Sequence, residues 1–136
     1  MERQIVKDPS FLGQASLPAS PEDIPVADDL FDTLLDNAER CVGLAANMIG
    51  VKKRVIVFFE DGKAVEMFNP EIIRRDGPFE AEEGCLSLEG VRKVTRWRRI
   101  KVRWQNRAFQ TRLKTYTGWT AQIIQHEIDH CNGILI

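Results

Sequence analysis

Two histidines near the C-terminal end of the chain stand at a spacing typical of metal sites. His126 and His130 enclose Glu127 in the segment HEIDH. Because positions i and i+4 lie on one face of a helix, both imidazoles could bind a single ion, with Glu127 placed to reach a water molecule there. This arrangement predicts a metal-dependent hydrolase. The alternative is that these residues only decorate a half-exposed helix, since a pattern with three fixed positions also arises by chance.

A catalytic site of this kind has a third protein ligand and an open position for water. The chain contains two histidines, and the six residues after His130 include no His, Asp or Glu. We therefore expect the third ligand upstream. Cys85 in EEGCLSLEG is the candidate, because a tight turn there would let its thiolate project into a site. The alternative is an inert buried thiol, which is the commoner fate of a lone cysteine.

Two helices are predicted to frame the chain. Ser20 and Asp23 form a capping-box-like start, and the apolar residues that follow at helical spacing predict a helix over roughly 26–40. The closing helix, which carries HEIDH, is predicted to start near residue 117 or 118 and to stop near Asn132-Gly133 with a left-handed cap.

Antiparallel strands are predicted between these helices. Residues 53–70 contain two apolar runs around Asp61-Gly62, which predicts a hairpin. Apolar and polar residues alternate over 100–104 and again over 109–115, as in half-buried strands. The outline is one α+β domain spanning residues 1–136.

Composition predicts a folded protein whose net charge gives no overall attraction to anionic partners, so that any such binding would be local. The chain has 136 residues, 43% hydrophobic and 29% charged, and a net charge of −1. No stretch approaches the roughly 18 apolar residues of a membrane span. We expect a cytoplasmic location, with no membrane and no DNA as partner. Three widely spaced cysteines predict reduced thiols and not disulfides.

Three motifs together resemble those of the peptide deformylases: GLAA at 43–46, EGCLS at 83–87 and QHEIDH at 125–130. They occur in the same order and with similar separations. Members of that family remove the N-formyl group from the initiator methionine of nascent bacterial and organellar polypeptides. The resemblance implies antiparallel β-sheets packed around a central helix that bears HExxH, with an N-terminal helix.

The resemblance also implies roles for individual residues. Cys85, His126 and His130 would bind one divalent metal ion per chain, usually Fe²⁺, with Zn²⁺ or Ni²⁺ as substitutes. Glu127 would take a proton from the attacking water and pass it to the departing amine. The ion and the backbone N–H of Leu86 would stabilise the oxyanion.

The substrate would be a formyl-methionyl peptide or nascent chain. Gln122 is polar where an apolar pocket wall is expected, so methionine specificity is a weaker expectation than metal binding. The residues that the resemblance assigns to substrate binding are Val42, Gly43, Met48, Gly84, Trp119, Gln122 and Ile123.

The first motif departs from the family pattern G-x-G-x-A-A-x-Q. Cys41 replaces its first glycine, and Met48 stands in place of the glutamine whose amide donates to the oxyanion. Loss of one such donor typically costs about 10²–10³ in turnover, so we expect reduced activity. Asn47 has an amide, but it could substitute only if the backbone turns locally, because adjacent side chains of an extended segment point to opposite faces.

Three functions remain open from the sequence. The first is a peptide deformylase; the second is a deformylase-like protein with little or no such activity, which binds metal and peptide N-termini or acts on another amide. A general HExxH endoprotease is weakened by the missing downstream ligand. Seven basic residues between Arg92 and Arg103 could contact ribosomal RNA transiently, but we favour the solvated face of an edge strand.

Overall fold

The computed structural model describes the whole chain, from Met1 to Ile136. Its α-helices are α1 (Pro9–Leu12), α2 (Ile24–Asp36) and α3 (Gly118–Cys131), and its strands are β1 (Gly43–Ala45), β2 (Val55–Glu60), β3 (Lys63–Gly84), β4 (Val91–Gln105) and β5 (Thr111–Thr117). The predicted α+β class is confirmed. None of the helices has the length and apolar character that crossing a bilayer requires.

All five strands form one continuous antiparallel sheet, ordered as they follow in the chain. The predicted hairpin is present, and its two turn residues, Asp61 and Gly62, both have positive φ, as a two-residue turn between twisted strands requires. Its second strand does not end at Pro70 as predicted. The strand continues to Gly84 because it pairs with β4. Register shifts between Phe68 and Arg74 interrupt this pairing, and such irregularities bend a strand.

The sheet is covered by a helix on each face at β2. Val55 and Val57 belong to one core cluster together with residues of α2, whereas Ile56 and Phe58 belong to a second cluster together with residues of α3. Successive side chains of a strand point to opposite faces, so a strand covered on both sides reads as a continuous apolar run. The result places α3 at the centre of the domain, with residues 123–128 all buried.

The N-terminal helices differ in detail from the prediction. A 3₁₀ turn at Pro21–Asp23 precedes α2, and the backbone N–H of Ser20 donates to the Asp23 carboxylate at 2.9 Å. The helix ends at Asp36 and not at the predicted residue 40. Directly after this end, the Asn37 side chain donates back to the carbonyl of Thr33 at 2.8 Å. The short α1 was not predicted, although Asp8 followed by a proline is a helix-start signal.

The basic segment of β4 is an edge over only part of its length. Residues 91–98 pair with β3 alone, whereas residues 99–105 also pair with β5. At the open edge, the Gln125 side chain accepts from the Trp97 N–H and donates to the Trp97 carbonyl, both at 2.8 Å. Arg99 and Arg103 form ion pairs with acids of β3. The open edge is therefore closed by α3 at Trp97, whereas the ion pairs of Arg99 and Arg103 lie on the part of β4 that β5 covers.

The predicted left-handed cap ends α3. Gly133 has a φ of 73°, its N–H donates to the His130 carbonyl at 3.1 Å, and the Ile134 N–H donates to the Asp129 carbonyl at 3.0 Å. A Cβ at Gly133 would lie 2.8 Å from the carbonyl oxygen of Gly13. The cap thus requires glycine for two reasons, its φ and its close approach to the segment after α1.

We expect Gly133→Ala to lower the free energy of unfolding by more than about 1 kcal/mol, because alanine is strained at positive φ and would also meet backbone here. Urea unfolding measures this loss. Gly62→Ala is the control, since Gly62 has a φ of 79° and no atom within 4 Å of an added Cβ. Equal losses in the two variants would contradict the packing argument.

Candidate metal centre and active site

Three side chains from two parts of the chain converge beside α3. His126 and His130 lie one turn apart on the helix, with their Nε2 atoms 3.1 Å from each other. The Cys85 Sγ, directly after β3, is 3.3 Å from the His130 Nε2. One ligand atom from each residue lies within 4.8 Å of the other two. The structure therefore brings together the three residues predicted as metal ligands.

The geometry and the chemistry of this donor set fit a divalent ion. With bonds of about 2.0–2.3 Å, neighbouring ligands of a tetrahedral ion are separated by about 3.3–3.8 Å. The two distances at the His130 Nε2, 3.1 and 3.3 Å, are close to this range. Three potential ligand atoms packed this closely in the protein interior suit a shared cation. One thiolate and two imidazoles are the ligands that borderline-soft transition metals prefer.

Glu83, the first residue of the EGCLS motif, orients one of these ligands. One of its oxygens lies 2.8 Å from the His126 Nδ1. Arg96 donates to both oxygens of the same carboxylate, at 2.9 and 2.7 Å, and to Asp129 at 2.6 Å. Gln122 adds a fourth hydrogen bond, at 2.9 Å. The polar Gln122, unexpected in an apolar pocket wall, thus has a hydrogen-bond partner in Glu83, which also lines the cleft.

The charges of this network set the protonation of the histidines. Burial pushes the pKa of Glu83 upward, but hydrogen bonds from His126, Arg96 and Gln122 outweigh it and lower the pKa to about 2. Burial likewise opposes protonation of His126, but its contacts with Cys85 and Glu83 raise that pKa to about 10. Burial and the nearby His126 lower the pKa of His130 to about 3. An ionised Glu83 favours a proton on the His126 Nδ1, which leaves its Nε2 for an ion.

Glu127 is a buried carboxyl group whose Oε1 has no hydrogen-bond partner in the protein. Burial raises its pKa to about 7, so that it can both take and release a proton near neutral pH. A Cβ at Gly43 would lie 2.9 Å from the other oxygen of Glu127. The glycine of the first motif therefore provides the space that this carboxylate occupies.

A cleft of about 660 Å³ leads to these groups. Every residue that was predicted to bind substrate lines it: Val42, Gly43, Met48, Gly84, Trp119, Gln122 and Ile123. The Leu86 N–H at its wall has no hydrogen-bond acceptor within the chain. Sequence reasoning missed Lys7 and Arg40, which also line the cleft. Lys7 is remote from every motif, so no local signal could have identified it, whereas Arg40 directly precedes Cys41 of the first motif.

The segment after GLAA is not extended. Residues Ala46–Ile49 form a 3₁₀ turn, so the backbone does turn locally at Asn47. Met48 lines the cleft, whereas Asn47 is turned towards α3 and donates from Nδ2 to the His130 carbonyl at 2.9 Å. Asn47 is therefore not directed at the substrate. Cys41 lies at the cleft with its Sγ 2.9 Å from the Gly43 carbonyl, and burial raises its pKa to about 12.

Comparison with known proteins gives one consistent result for the sequence. The family model described as polypeptide deformylase matches residues 3–136. A peptide deformylase of Clostridium beijerinckii is 53% identical over 136 residues, which is 100% of each chain. A peptide deformylase of Heliobacterium modesticaldum is 44% identical over 109 residues, 79% of this chain and 71% of that protein.

Solved structures agree with the fold. The Met-Ala-Ser-bound class I type b peptide deformylase from Acinetobacter baumannii superposes with a TM-score of 0.89 at 30% identity, covering 99% of this chain and 97% of that one. A peptide deformylase from Thermus thermophilus gives 0.88 at 34% identity, covering 99% and 83%. From the family match over nearly its whole length and these relatives, the chain belongs to the polypeptide deformylase family of hydrolases, which remove formyl groups from nascent peptides.

Proposed function

We propose that this chain is a deformylase of formyl-methionyl peptides that uses one divalent ion held by Cys85, His126 and His130. The observation that carries the proposal is the convergence of these three donors beside the buried Glu127 at the base of a cleft. Residues 1–136 would act as a single catalytic domain. We propose Fe²⁺ as the resident ion, with Zn²⁺ and Ni²⁺ as substitutes, because the donor set suits all three.

The chain's own groups would divide the work as follows. A divalent ion bound here would lower the pKa of a water molecule and polarise the formyl carbonyl. Glu127 would accept the proton of the attacking water and deliver it to the amine nitrogen as the C–N bond breaks, which releases formate. The free N–H of Leu86 would donate to the former formyl carbonyl oxygen, which carries the negative charge after water attacks the carbon.

The cleft is proposed to receive the methionyl side chain and the first peptide units. Val42 and Ile123 offer apolar contact, Trp119 lies exposed at the rim, and Gly84 leaves exposed backbone in the lining. With a nascent chain as substrate, we propose action in the cytoplasm. Transient ribosome contact through the basic segment stays a prediction, weakened because Arg96 is buried and Arg99 and Arg103 have acidic partners within the chain.

Met48 is the one observation that favours a second function. Its thioether lines the cleft where a donor to the oxyanion is expected, and Asn47 is held by α3. The alternative is a protein that binds metal and peptide N-termini, or acts on another amide, with little deformylase activity. We favour deformylation with reduced turnover, because three metal-ligand candidates and a carboxyl group with a pKa near neutrality are all in place.

Formate release from a formyl-Met tripeptide, with protein loaded anaerobically with Fe²⁺, tests this choice. We expect turnover by the parent chain, and its loss in Glu127→Ala. The nearby carboxyl group of Glu83 does not replace it, because hydrogen bonds from His126 and Arg96 lower its pKa to about 2. Met48→Gln should raise kcat by about 10², the usual contribution of one oxyanion donor.

Met48→Leu is the matched control, since it has similar size and, like methionine, no donor. It should leave kcat close to that of the parent. A silent parent chain that Met48→Gln makes active would favour the binding function. Equal activity of Met48→Gln and Met48→Leu would show that the oxyanion needs no side-chain donor here.

Gly43→Ala should lower kcat at least about 10²-fold while metal binding is retained. The added methyl group would meet Glu127 and Ile123 at about 3 Å and displace the carboxylate. Formate release and bound metal per chain are measured together. Gly13→Ala is the control, because its Cβ would also have a close contact, 3.1 Å from the Pro9 carbonyl, but away from the cleft. Unchanged kcat in Gly43→Ala would contradict the positioning of Glu127.

A further inference from the structure

Asn47 occupies a position in the first motif to which the proposed chemistry gives no role. Its side chain is 1% exposed, on the 3₁₀ turn after β1. Its Nδ2 donates to the backbone carbonyl of His130 at 2.9 Å, across 83 residues of sequence. The same carbonyl accepts from the N–H of Gly133 at 3.1 Å. Asn47 thus holds the last turn of α3 at the residue that carries one of the proposed ligands.

Two buried polar atoms of this pair have no hydrogen-bond partner in the protein. One is the Asn47 Oδ1 and the other is the His130 Nδ1. The amide orientation is determined by the bond to the His130 carbonyl, because the reverse orientation would set two oxygens against each other. An acceptor and a ring nitrogen that becomes a donor when Nε2 binds an ion are therefore both unsatisfied around His130.

The two histidines are supported differently. The Nδ1 of His126 lies 2.8 Å from the Glu83 carboxylate, whereas no carboxylate reaches the Nδ1 of His130. Histidines that bind a metal ion almost always donate the other ring N–H to an acceptor, which sets the tautomer and the ring orientation. Asn47 is the polar side chain that is already in contact with His130.

We propose that Asn47 is the positioning residue of His130. Its amide N–H fixes the His130 carbonyl and hence the turn of α3 that bears the imidazole. Its Oδ1 accepts from the Nδ1–H of His130 through one buried water molecule. The two roles together need a donor and an acceptor on one short side chain, as an amide provides. This inference rests on the proposed metal site.

Metal affinity of Asn47→Leu tests the proposal. Leucine has the branched shape of asparagine, with somewhat more volume, and removes both polar atoms. We expect Co²⁺ affinity, measured by chelator competition, to fall about 10–100-fold. The visible d–d spectrum of the Co²⁺ protein should also change, since the ligand geometry relaxes. In the proton NMR spectrum, the hyperfine-shifted Nδ1–H signal of His130 should exchange faster with water, while that of His126, held by Glu83, should not.

Asn37→Leu is the matched control. Asn37 is also buried and also donates from Nδ2 to a backbone carbonyl, that of Thr33 at 2.8 Å, but it lies at the end of α2. It should lose stability without any change in Co²⁺ affinity or spectrum. Asn47→Ala removes the same amide without added bulk, and its metal binding should change in the same way as that of Asn47→Leu.

Three results would overturn the inference. If the Asn47 variants have the same Co²⁺ affinity and spectrum as the parent, the inference is wrong and the proposed function is unaffected. The same holds if Asn37→Leu weakens Co²⁺ binding as much as Asn47→Leu. A parent chain that binds no Co²⁺ at equilibrium dialysis would overturn both the inference and the proposed function.

Discussion

The pairing of Arg96 with Glu83 and Asp129 is the interaction on which the site depends. α3 places His126 and Glu127 in the protein interior, where unpaired polar groups are costly. Arg96, 3% exposed, joins two carboxylates at 2.6–2.9 Å and so links β3, β4 and α3 through one guanidinium group. A bidentate arginine contact keeps Glu83 ionised and oriented towards the helix. Removal of one partner of a buried pair typically costs about 3–5 kcal/mol.

The bent β3–β4 ladder explains how those groups meet. β3 pairs first with β2 and, beyond its register shifts, with β4 alone. The far part of this two-stranded ribbon carries Glu83 and Arg96 and ends just before Cys85. Gln125 ties the open edge of β4 to α3 at Trp97. The ribbon therefore places the Cys85 thiol and the Glu83 carboxylate beside α3, which lies more than 30 residues later in the sequence.

The first motif also contacts α3, and each of its residues has a different role there. Gly43 is required by the space that Glu127 occupies, and Asn47 contacts the end of the helix. Met48 lines the cleft without a polar group. Both residues lie on the 3₁₀ turn Ala46–Ile49, but their side chains point in different directions. Asn47 contacts the backbone of α3, whereas Met48 faces the cleft.

The sequence by itself determined what local periodicity and motif spacing can encode. The i,i+4 spacing in HEIDH, the apolar run of β2, the turn at Asp61-Gly62 and the cap at Gly133 each depend on residues close together in the sequence, and all of them appear in the fold. Cys85 could be singled out because it stands next to a glycine in EEGCLSLEG, where a tight turn would let its thiolate project into a site. The continuation of β3 beyond Pro70 was not predicted, because it depends on pairing with β4 and not on local propensity.

Only the tertiary structure decided which distant side chains meet. The three bonds of Arg96, the hydrogen bond of Gln122 to Glu83 and the turn of Asn47 towards His130 all join residues far apart in sequence. No periodicity encodes such contacts, because they depend on the register of the sheet and on the side chains that the packed core leaves room for. The sequence determined the chemistry available to the site, and the packing of α3 against the bent ribbon decided how that chemistry is oriented.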